Sequence, residues 1–260
     1  MRRAVPFGGL GVALVTLLHE DGSVDAEATA AHGRRLVDLG VRIVLVCGST
    51  GEAWALSPDE RVGLIAATRS ALPASAAVLA GTGADGVEEA VRLTAQARDA
   101  GADAILALSP PGSVDLAGYY TAIAGAAGPL PLLAYHFPTM SAPGIPLEVL
   151  PRLPVAGLKD STRDVDRVTA ELTEWDGSVF AGSASMLGLV HSLGGAGAIL
   201  ALANCEPELC LAALAGDAGA QGALDTLGAE ANRDFPLGVK ELTARRFGTS
   251  TRVRSVRPRA

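Results

Sequence analysis

The feature that most constrains this chain is a pattern repeated along most of its length. An apolar run rich in β-branched residues is followed by a short stretch of Gly, Ser or Asp, and then by a segment of helical period rich in Ala, Leu and Arg. The apolar runs are predicted to be strands that end, at intervals of about 20 to 33 residues, near Thr16, Cys47, Ala80, Ala107, Tyr135, Lys159, Ala181 and Ala201. Eight such units predict a (β/α)8 barrel, with a doubly wound open sheet as the alternative.

Helices are predicted between these strands, near residues 25–39, 57–72, 85–99, 115–127, 146–152, 163–174, 183–193 and 206–215. The second helix has a strong start signal, because Ser57 can cap it, Pro58 suits its first position, and two acids follow. The run 43–46 is apolar on both faces, which is typical of a strand buried in a parallel sheet.

Composition excludes several classes of protein. Hydrophobic residues make up 49% of the chain and charged residues 19%, so there is ample material for a core and no sign of disorder. The net charge of -7 argues against a nucleic-acid binder. We expect a barrel over residues 1–218 and, within the same domain, a C-terminal helical extension and tail over 219–260. The arginine-rich end is expected to be a solvated terminus: Arg245, Arg246, Arg252, Arg254, Arg257 and Arg259.

Targeting and redox signals point to the cytoplasm. Cys47, Cys205 and Cys210 have no CxxC spacing and suit a reducing compartment as small core residues. No apolar run reaches transmembrane length, so no membrane partner is expected. Residues 2–18 superficially imitate a signal peptide, but no small-residue cleavage site follows them, and we interpret them as leading into the first strand.

Lysine is rare in this chain, since only Lys159 and Lys240 occur among 21 basic residues. Lys159 lies at the end of a short apolar run, the sixth predicted strand. An arginine stays protonated, whereas a desolvated lysine can lose its proton and attack a carbonyl carbon. The alternative is a lysine that extends its amine to solvent from a strand end. The placement makes Lys159 a candidate nucleophile.

Other chemistry-bearing residues follow neighbouring strands. The active site of a (β/α)8 barrel lies at the carboxyl ends of its strands. Tyr135 and Lys159 are one repeat apart, so they are expected to be neighbours there, with the phenol as an acid/base group for imine chemistry. The loop 48–51 offers two hydroxyls and exposed backbone N–H groups before a helix, a combination that suits a carboxylate.

These motifs, in this order, resemble the dihydrodipicolinate synthase/N-acetylneuraminate lyase family of class I aldolases, from about Val12 to Lys240. The motifs that carry the resemblance are Gly48-Ser49-Thr50-Gly51-Glu52, Ala80-Gly81-Thr82-Gly83, Tyr135-His136-Phe137-Pro138, Gly157-Leu158-Lys159-Asp160-Ser161, Ala181-Gly182-Ser183-Ala184, Gly194-Gly195-Ala196-Gly197 and Ala203-Asn204.

The resemblance implies roles for particular residues. Lys159 would form a Schiff base with a 2-oxo acid, Tyr135 would be the acid/base group, and the Ser49 hydroxyl would join a proton relay with Tyr135. The implied substrate-binding residues are Ser49, Thr50, Gly182, Ile199 and the position of Met140. His136, where relatives often have asparagine, is a candidate substrate contact that could face either the pocket or a neighbouring helix. The resemblance further implies no metal and no organic cofactor, a 2-oxo acid such as pyruvate and an aldehyde as small-molecule partners, and a homodimer or homotetramer.

Two departures from the family pattern bear on the substrate. Synthases of the family usually carry, shortly after the tyrosine motif, an arginine that binds the carboxylate of the aldehyde; Met140 occupies that position and cannot make a bidentate contact. The loop 109–113 lacks the family's relay tyrosine, and Tyr119 and Tyr120 are expected to pack in the next helix instead. Glu52 is expected to brace the loop 48–51 or the following helix. Lys240, in Gly238-Val239-Lys240, resembles a motif of the family's C-terminal helices and is expected to have a structural role.

The sequence therefore predicts a lysine Schiff-base lyase that cleaves or condenses a 2-oxo acid, with pyruvate as product or donor. A 4-hydroxy-2-oxo acid is the favoured substrate. The alternatives are a 4-hydroxy-tetrahydrodipicolinate synthase proper, a sugar-acid dehydratase on the same scaffold, and a non-catalytic barrel that binds a 2-oxo acid.

Overall fold

A computed structural model describes residues 5–112 and 115–254, and in this part of the chain eight parallel strands close into a barrel. The predicted (β/α)8 fold is confirmed. The strands are β1 Gly9–Ala13, β2 Ile43–Val46, β3 Ala77–Gly81, β4 Ala104–Leu108, β5 Leu132–His136, β6 Gly157–Asp160, β7 Ser178–Ala181 and β8 Gly197–Leu200. The predictions made for Arg2, Arg3, Ser113, Arg257 and Arg259 fall outside the described residues.

Strand order follows chain order, and β8 returns to pair with β1. Because side chains alternate between the two faces of a strand, each strand contributes one set to the barrel interior and another to the layer beneath the helices. The interior set forms its own apolar cluster, and the outer set forms a larger one with the helices. Both faces are thus buried, which accounts for the continuous apolar run of β2.

In the described part of the chain, seven α-helices lie close to where the apolar period predicts them, and two more form the C-terminal extension. In chain order they are α1 Ala26–Asp38, α2 Pro58–Ala71, α3 Val87–Asp99, α4 Leu116–Ala127, α5 Val165–Glu174, α6 Leu187–Leu193, α7 Pro207–Leu214 and α8 Ala218–Ala231, with α9 Leu237–Phe247 last. Helix α2 starts with the capping box that its sequence predicts, formed between Ser57 and Glu60. No helix in the described ranges is both long and apolar enough to cross a bilayer.

The helix predicted over 146–152 is wrong, because only the short 3-10 helical turn Leu150–Arg152 forms there. Turn-type bonds such as Val149 N–H to Pro146 O and Arg152 N–H to Val149 O replace an α-helical ladder. Pro151 has no N–H to donate and would clash with the preceding turn of an α-helix. The sheet therefore passes from β5 to β6 without an intervening α-helix.

The first strand is also shorter than predicted, since it ends at Ala13 rather than near Thr16. Beyond Leu14 the chain bonds to neighbouring loops: Val15 N–H donates to Asn204 Oδ1, and the Thr16 hydroxyl donates to Gly51 O. The chain leaves the sheet at this point because its donors find partners outside the ladder.

The arginine-rich end is not simply a solvated tail. Arg254 is largely buried, and its guanidinium makes two bonds to the Glu60 carboxylate, 2.6 and 2.8 Å long. Arg246 pairs with Glu206 and Glu208 near the start of α7. Helices α8 and α9 confirm the predicted C-terminal helical extension, and the segment after α9 runs back onto the barrel as far as residue 254.

Asn204 explains why the Ala203-Asn204 motif is needed. Its side chain is fully buried, accepts the Val15 N–H at 3.0 Å, and donates to Ala13 O at 2.7 Å and Ala201 O at 2.8 Å. One amide thereby satisfies backbone groups at the ends of β1 and β8, where the barrel closes on itself.

We predict that Asn204→Ala destabilises the protein by roughly 2–4 kcal/mol, since it leaves buried backbone groups without partners. Thermal and denaturant unfolding measure the change. The matched control is Asn232→Ala: this exposed side chain bonds to Gly228 O near the end of α8, and a change within about 0.5 kcal/mol is expected. Equal effects of the two substitutions would contradict the prediction.

Candidate active site

Tyr135 and Lys159 lie side by side because they are register partners on adjacent parallel strands, β5 and β6. The Nζ of Lys159 is 4.5 Å from the centroid of the Tyr135 ring. The ring of Phe137 stacks against the ring of Tyr135, with their centroids 5.8 Å apart. The phenol and the amine thus share one compartment at the carboxyl end of the barrel, as their spacing in the sequence predicts.

The amine of Lys159 is buried, with the residue only 4% exposed. Burial lowers the pKa of Lys159 to about 7, because the charged form loses its hydration. No ion pair compensates the amine among the described residues. A substantial fraction of Lys159 is therefore neutral, and nucleophilic, near pH 7.

The Tyr135 hydroxyl has two hydroxyl neighbours. Ser161 Oγ donates to it over 3.3 Å, and the Ser49 side chain is a second hydrogen-bond partner. Burial raises the pKa of Tyr135 to about 12, although both serines oppose this shift. The phenol accordingly keeps its proton at neutral pH, and the two serines can stabilise the oxygen when that proton leaves.

Ser161 is the site residue to which the sequence reasoning assigned no role. The available signal was period 2: the residue two positions after Lys159 points to the same face of the strand. Its hydroxyl has room because residue 182 is glycine. A Cβ on Gly182 would collide with Ser161 Oγ and come within 2.9 Å of Asp160 O. The structure thus places Gly182 beside Ser161, and Ser161 in turn bonds to Tyr135.

The loop after β2 brings Ser49 and Thr50 to the same end of the barrel. Its backbone is tightly turned, since Gly51 N–H and Ala53 N–H both donate to Gly48 O. Thr50 is buried, and Ser49 is partly exposed on the side where it meets Tyr135. The structure therefore brings together Lys159, Tyr135 and Ser49, and Thr50 is the next residue of the same loop.

His136 does not join this group. It faces the outer layer, where its Nδ1 accepts the Ile145 N–H at 2.8 Å and its ring fills the space beside Gly144. Burial, aided by the nearby Arg167, lowers the pKa of His136 to about 4, so the ring is neutral. Of the two positions considered for His136, the structure places it away from the pocket, in contact with the loop after β5.

A cluster of charged residues lies on that same outer side, behind Lys159. Asp160, the register partner of His136, is buried and accepts from Thr162 and from Arg167 Nε, the latter at 3.1 Å. Arg167 Nε also lies 2.8 Å from Glu171 Oε1. Burial first, and Asp160 second, raise the pKa of Glu171 to about 9, so this carboxyl is protonated at neutral pH. The cluster fixes the turn that carries Ser161.

The remaining expected residues lie at different depths. Ile199 is fully buried in the interior cluster with Tyr135 and Phe180. Met140 lies in the turn after β5 and is partly buried; its N–H donates to Phe137 O. Tyr119 and Tyr120 pack in α4, as predicted. The Tyr119 hydroxyl accepts the Ala84 N–H and lies within hydrogen-bond distance of Ala84 O and Leu108 O, and the Tyr120 hydroxyl donates to Ala107 O.

The chain matches the Dihydrodipicolinate synthetase family over residues 6–235. It is 34% identical over 215 residues to the 4-hydroxy-tetrahydrodipicolinate synthase of Methanosphaerula palustris, a match that covers 78% of this chain and 73% of the relative. A 4-hydroxy-tetrahydrodipicolinate synthase of Nitrosococcus oceani is also 34% identical, over 238 residues that cover 85% of this chain and 80% of the relative.

Solved structures of this family are similar to the chain as well. The chain is similar to YagE, a prophage protein of the dihydrodipicolinic acid synthase family from E. coli K12 whose structure holds pyruvate, with a TM-score of 0.88, 26% identity, and coverage of 98% of this chain and 93% of that one. This chain therefore belongs to the dihydrodipicolinate synthetase family, whose members are carbon–carbon lyases and synthases of the class I aldolase type.

Proposed function

We propose that this chain forms an imine between Lys159 and a 2-oxo acid and uses it to break or make a carbon–carbon bond, with pyruvate as product or donor. The observation that carries the proposal is the buried Lys159 amine, whose pKa is lowered to about 7, lying 4.5 Å from the ring of Tyr135. A neutral lysine beside a protonated phenol is what carbinolamine formation and dehydration require.

The steps follow from the protonation states. Neutral Lys159 Nζ attacks the C2 carbonyl, and one of its protons passes to the carbonyl oxygen. The Tyr135 phenol then gives its proton to the resulting hydroxyl, which leaves as water and leaves an iminium at Nζ. The phenolate is stabilised by the iminium charge and by the hydroxyls of Ser49 and Ser161. It then removes the proton from the C4 hydroxyl of the substrate. The C3–C4 bond breaks, its electrons enter the iminium, and the resulting enamine is protonated and hydrolysed.

The Ser49–Thr50 loop is proposed to hold the carboxylate of the 2-oxo acid. It presents hydroxyls and turn N–H groups at the same mouth as Lys159, and anions bind well to such backbone N–H groups. The pyruvate complex of YagE supports pyruvate as the ligand. Ile199, in the interior cluster, is proposed to flank the bound pyruvyl group.

For the second substrate we propose cleavage of a 4-hydroxy-2-oxo acid. The names of the curated relatives favour the competing reaction, condensation of pyruvate in a 4-hydroxy-tetrahydrodipicolinate synthase. Met140 opposes that reaction, because the turn over 137–141 has no cation to pair with a carboxylate on the aldehyde. Assaying pyruvate release from 4-hydroxy-2-oxo acids beside condensation with carboxylated aldehydes separates the two.

We predict that pyruvate and sodium borohydride add one reduced pyruvyl group to the protein, on the peptide that contains Lys159. Intact mass and peptide mapping measure it. The chain provides its own control, since Lys240 is the only other lysine in the sequence and is fully buried. Lys159→Ala is expected to form no adduct and to lose turnover. A wild-type protein that forms no adduct with any small 2-oxo acid would support the non-catalytic barrel instead.

Imine formation is expected to depend on pH through Lys159. Since only the neutral amine attacks, the initial rate should rise about tenfold per pH unit below the lowered pKa and level off above about pH 7. Short incubations with pyruvate at each pH, followed by borohydride quenching under one fixed condition, give the profile. A midpoint above pH 9 would mean that Lys159 is not desolvated.

Loss of the Tyr135 hydroxyl is expected to slow turnover more than loss of the neighbouring Ser161 hydroxyl. Tyr135→Phe should slow turnover by about 10²–10⁴-fold, as for loss of a general acid/base. Ser161→Ala should slow it roughly 10-fold, the effect of one lost hydrogen bond to the phenol. Ser192→Ala on α6 is the control and should have wild-type rates, because the Ser192 hydroxyl is exposed and bonds to Leu189 O of its own helix. Wild-type turnover in Ser161→Ala would remove this residue from the mechanism.

A further inference from the structure

The loop that carries Ser49 and Thr50 ends at Glu52, and the carboxylate of Glu52 is buried and held by the C-terminal part of the chain. Lys240 Nζ, in α9, donates to Glu52 Oε1 over 2.5 Å. The Arg254 N–H donates to Oε2 over 2.8 Å. Lys240 is 0% exposed and Glu52 2% exposed, so water competes for neither end of this ion pair.

The groups that hold Glu52 are themselves fixed. Lys240 Nζ makes a second bond, 2.5 Å long, to Arg252 O. The guanidinium of Arg254 donates hydrogen bonds to both carboxylate oxygens of Glu60, and Glu60 also takes part in the capping box of α2. Further bonds run from the same guanidinium to Gly22 O and Ala55 O. The segment 249–254 is therefore tied to α2 and to the loops at the mouth of the barrel.

The loop needs such an external hold. Its two flanking residues, Cys47 and Glu52, have φ values of 55° and 56°, in the left-handed region that non-glycine residues disfavour. Such conformations persist only where surrounding contacts impose them. Thr16 supplies one contact, through its bond to Gly51 O, and the Glu52 carboxylate supplies the other. Ser49 and Thr50 lie directly before these two anchored residues in the loop.

A buried ion pair of this kind adds little net stability compared with apolar side chains of similar volume, because desolvation of the two charges offsets their attraction. Its bonds are directional, however, and they fix where the backbone of Glu52 lies. Arg246, on the same helix, offers the contrast: its pairs with Glu206 and Glu208 are partly exposed and tie α9 to α7, away from the loop.

We propose that Lys240 is a positioning residue of the pyruvate site, which holds Glu52 so that Ser49 and Thr50 meet the carboxylate of the 2-oxo acid. This inference rests on the function proposed above, in which Lys159 forms the imine. Its consequence is that the C-terminal helix α9 sets the affinity for the substrate carboxylate, while the chemistry at Lys159 does not depend on it.

The test is Lys240→Met, which keeps the length of the side chain and removes its charge. Borohydride trapping over a range of pyruvate concentrations gives the half-saturating concentration and the maximal trapping rate. We expect the half-saturating pyruvate concentration to rise about 10- to 100-fold, as for a displaced binding group. The maximal trapping rate should stay within about threefold of wild type. Hydrogen exchange of the peptide spanning 47–56, without pyruvate, should be faster in the variant.

Arg246→Met is the matched control, because it removes a charged side chain from the same helix. It is expected to lower the melting temperature and to leave both the half-saturating pyruvate concentration and the exchange of the loop at wild-type values. A raised half-saturating concentration in this control would show that any loosening of α9 has the same effect, which would overturn a specific role for Lys240.

A double variant guards against loss of folding. In Glu52→Gln/Lys240→Met both buried charges are gone, so the melting temperature should recover towards wild type while the half-saturating pyruvate concentration stays raised. If both recover together, or if Lys240→Met leaves binding and loop exchange unchanged, the inference is wrong. Absence of an adduct in the wild-type protein would instead contradict the proposed function, and unchanged loop exchange would then decide against Lys240 independently.

Discussion

Everything at the candidate site depends on the parallel pairing of β5 with β6, which puts Tyr135 and Lys159 side by side. Both side chains are buried at the carboxyl end of the closed barrel, so the amine of Lys159 loses most of its hydration. The lowered pKa of Lys159 and the raised pKa of Tyr135 have this one cause. A lysine made nucleophilic and a phenol kept protonated follow from burial in the same compartment.

The two faces of β6 carry residues with different roles. Lys159 and Ser161 face the interior and the phenol, whereas Asp160 faces outward into the cluster with Arg167. The charges of this cluster lie on the outer side of the sheet, away from the Lys159 amine. The bond between Asp160 and Thr162 also fixes the turn after β6. Alternation along one short strand thereby separates a neutral reacting compartment from a charged supporting one.

The sequence by itself indicated the architecture and the candidate pair of Tyr135 and Lys159. Eight repeats of an apolar run and a helical segment favour a barrel over a doubly wound open sheet, although both folds bury both faces of such strands. Once the strands are in order, the spacing of Tyr135 and Lys159 by one repeat makes them neighbours. The helix predicted over 146–152 failed for a local reason, because Pro151 removes a donor that an α-helix needs.

Only the tertiary structure decided how the pair is supported. His136 and Tyr135 are adjacent in sequence, yet the register of β5 sends one outward and the other to the amine. Lys240 and Glu52 are 188 residues apart, and no local pattern predicts that they meet. The period of a strand or a helix is carried by neighbouring residues and is visible in the sequence. Contacts between distant segments depend on how the closed barrel places its loops, and that is settled only when the whole chain packs.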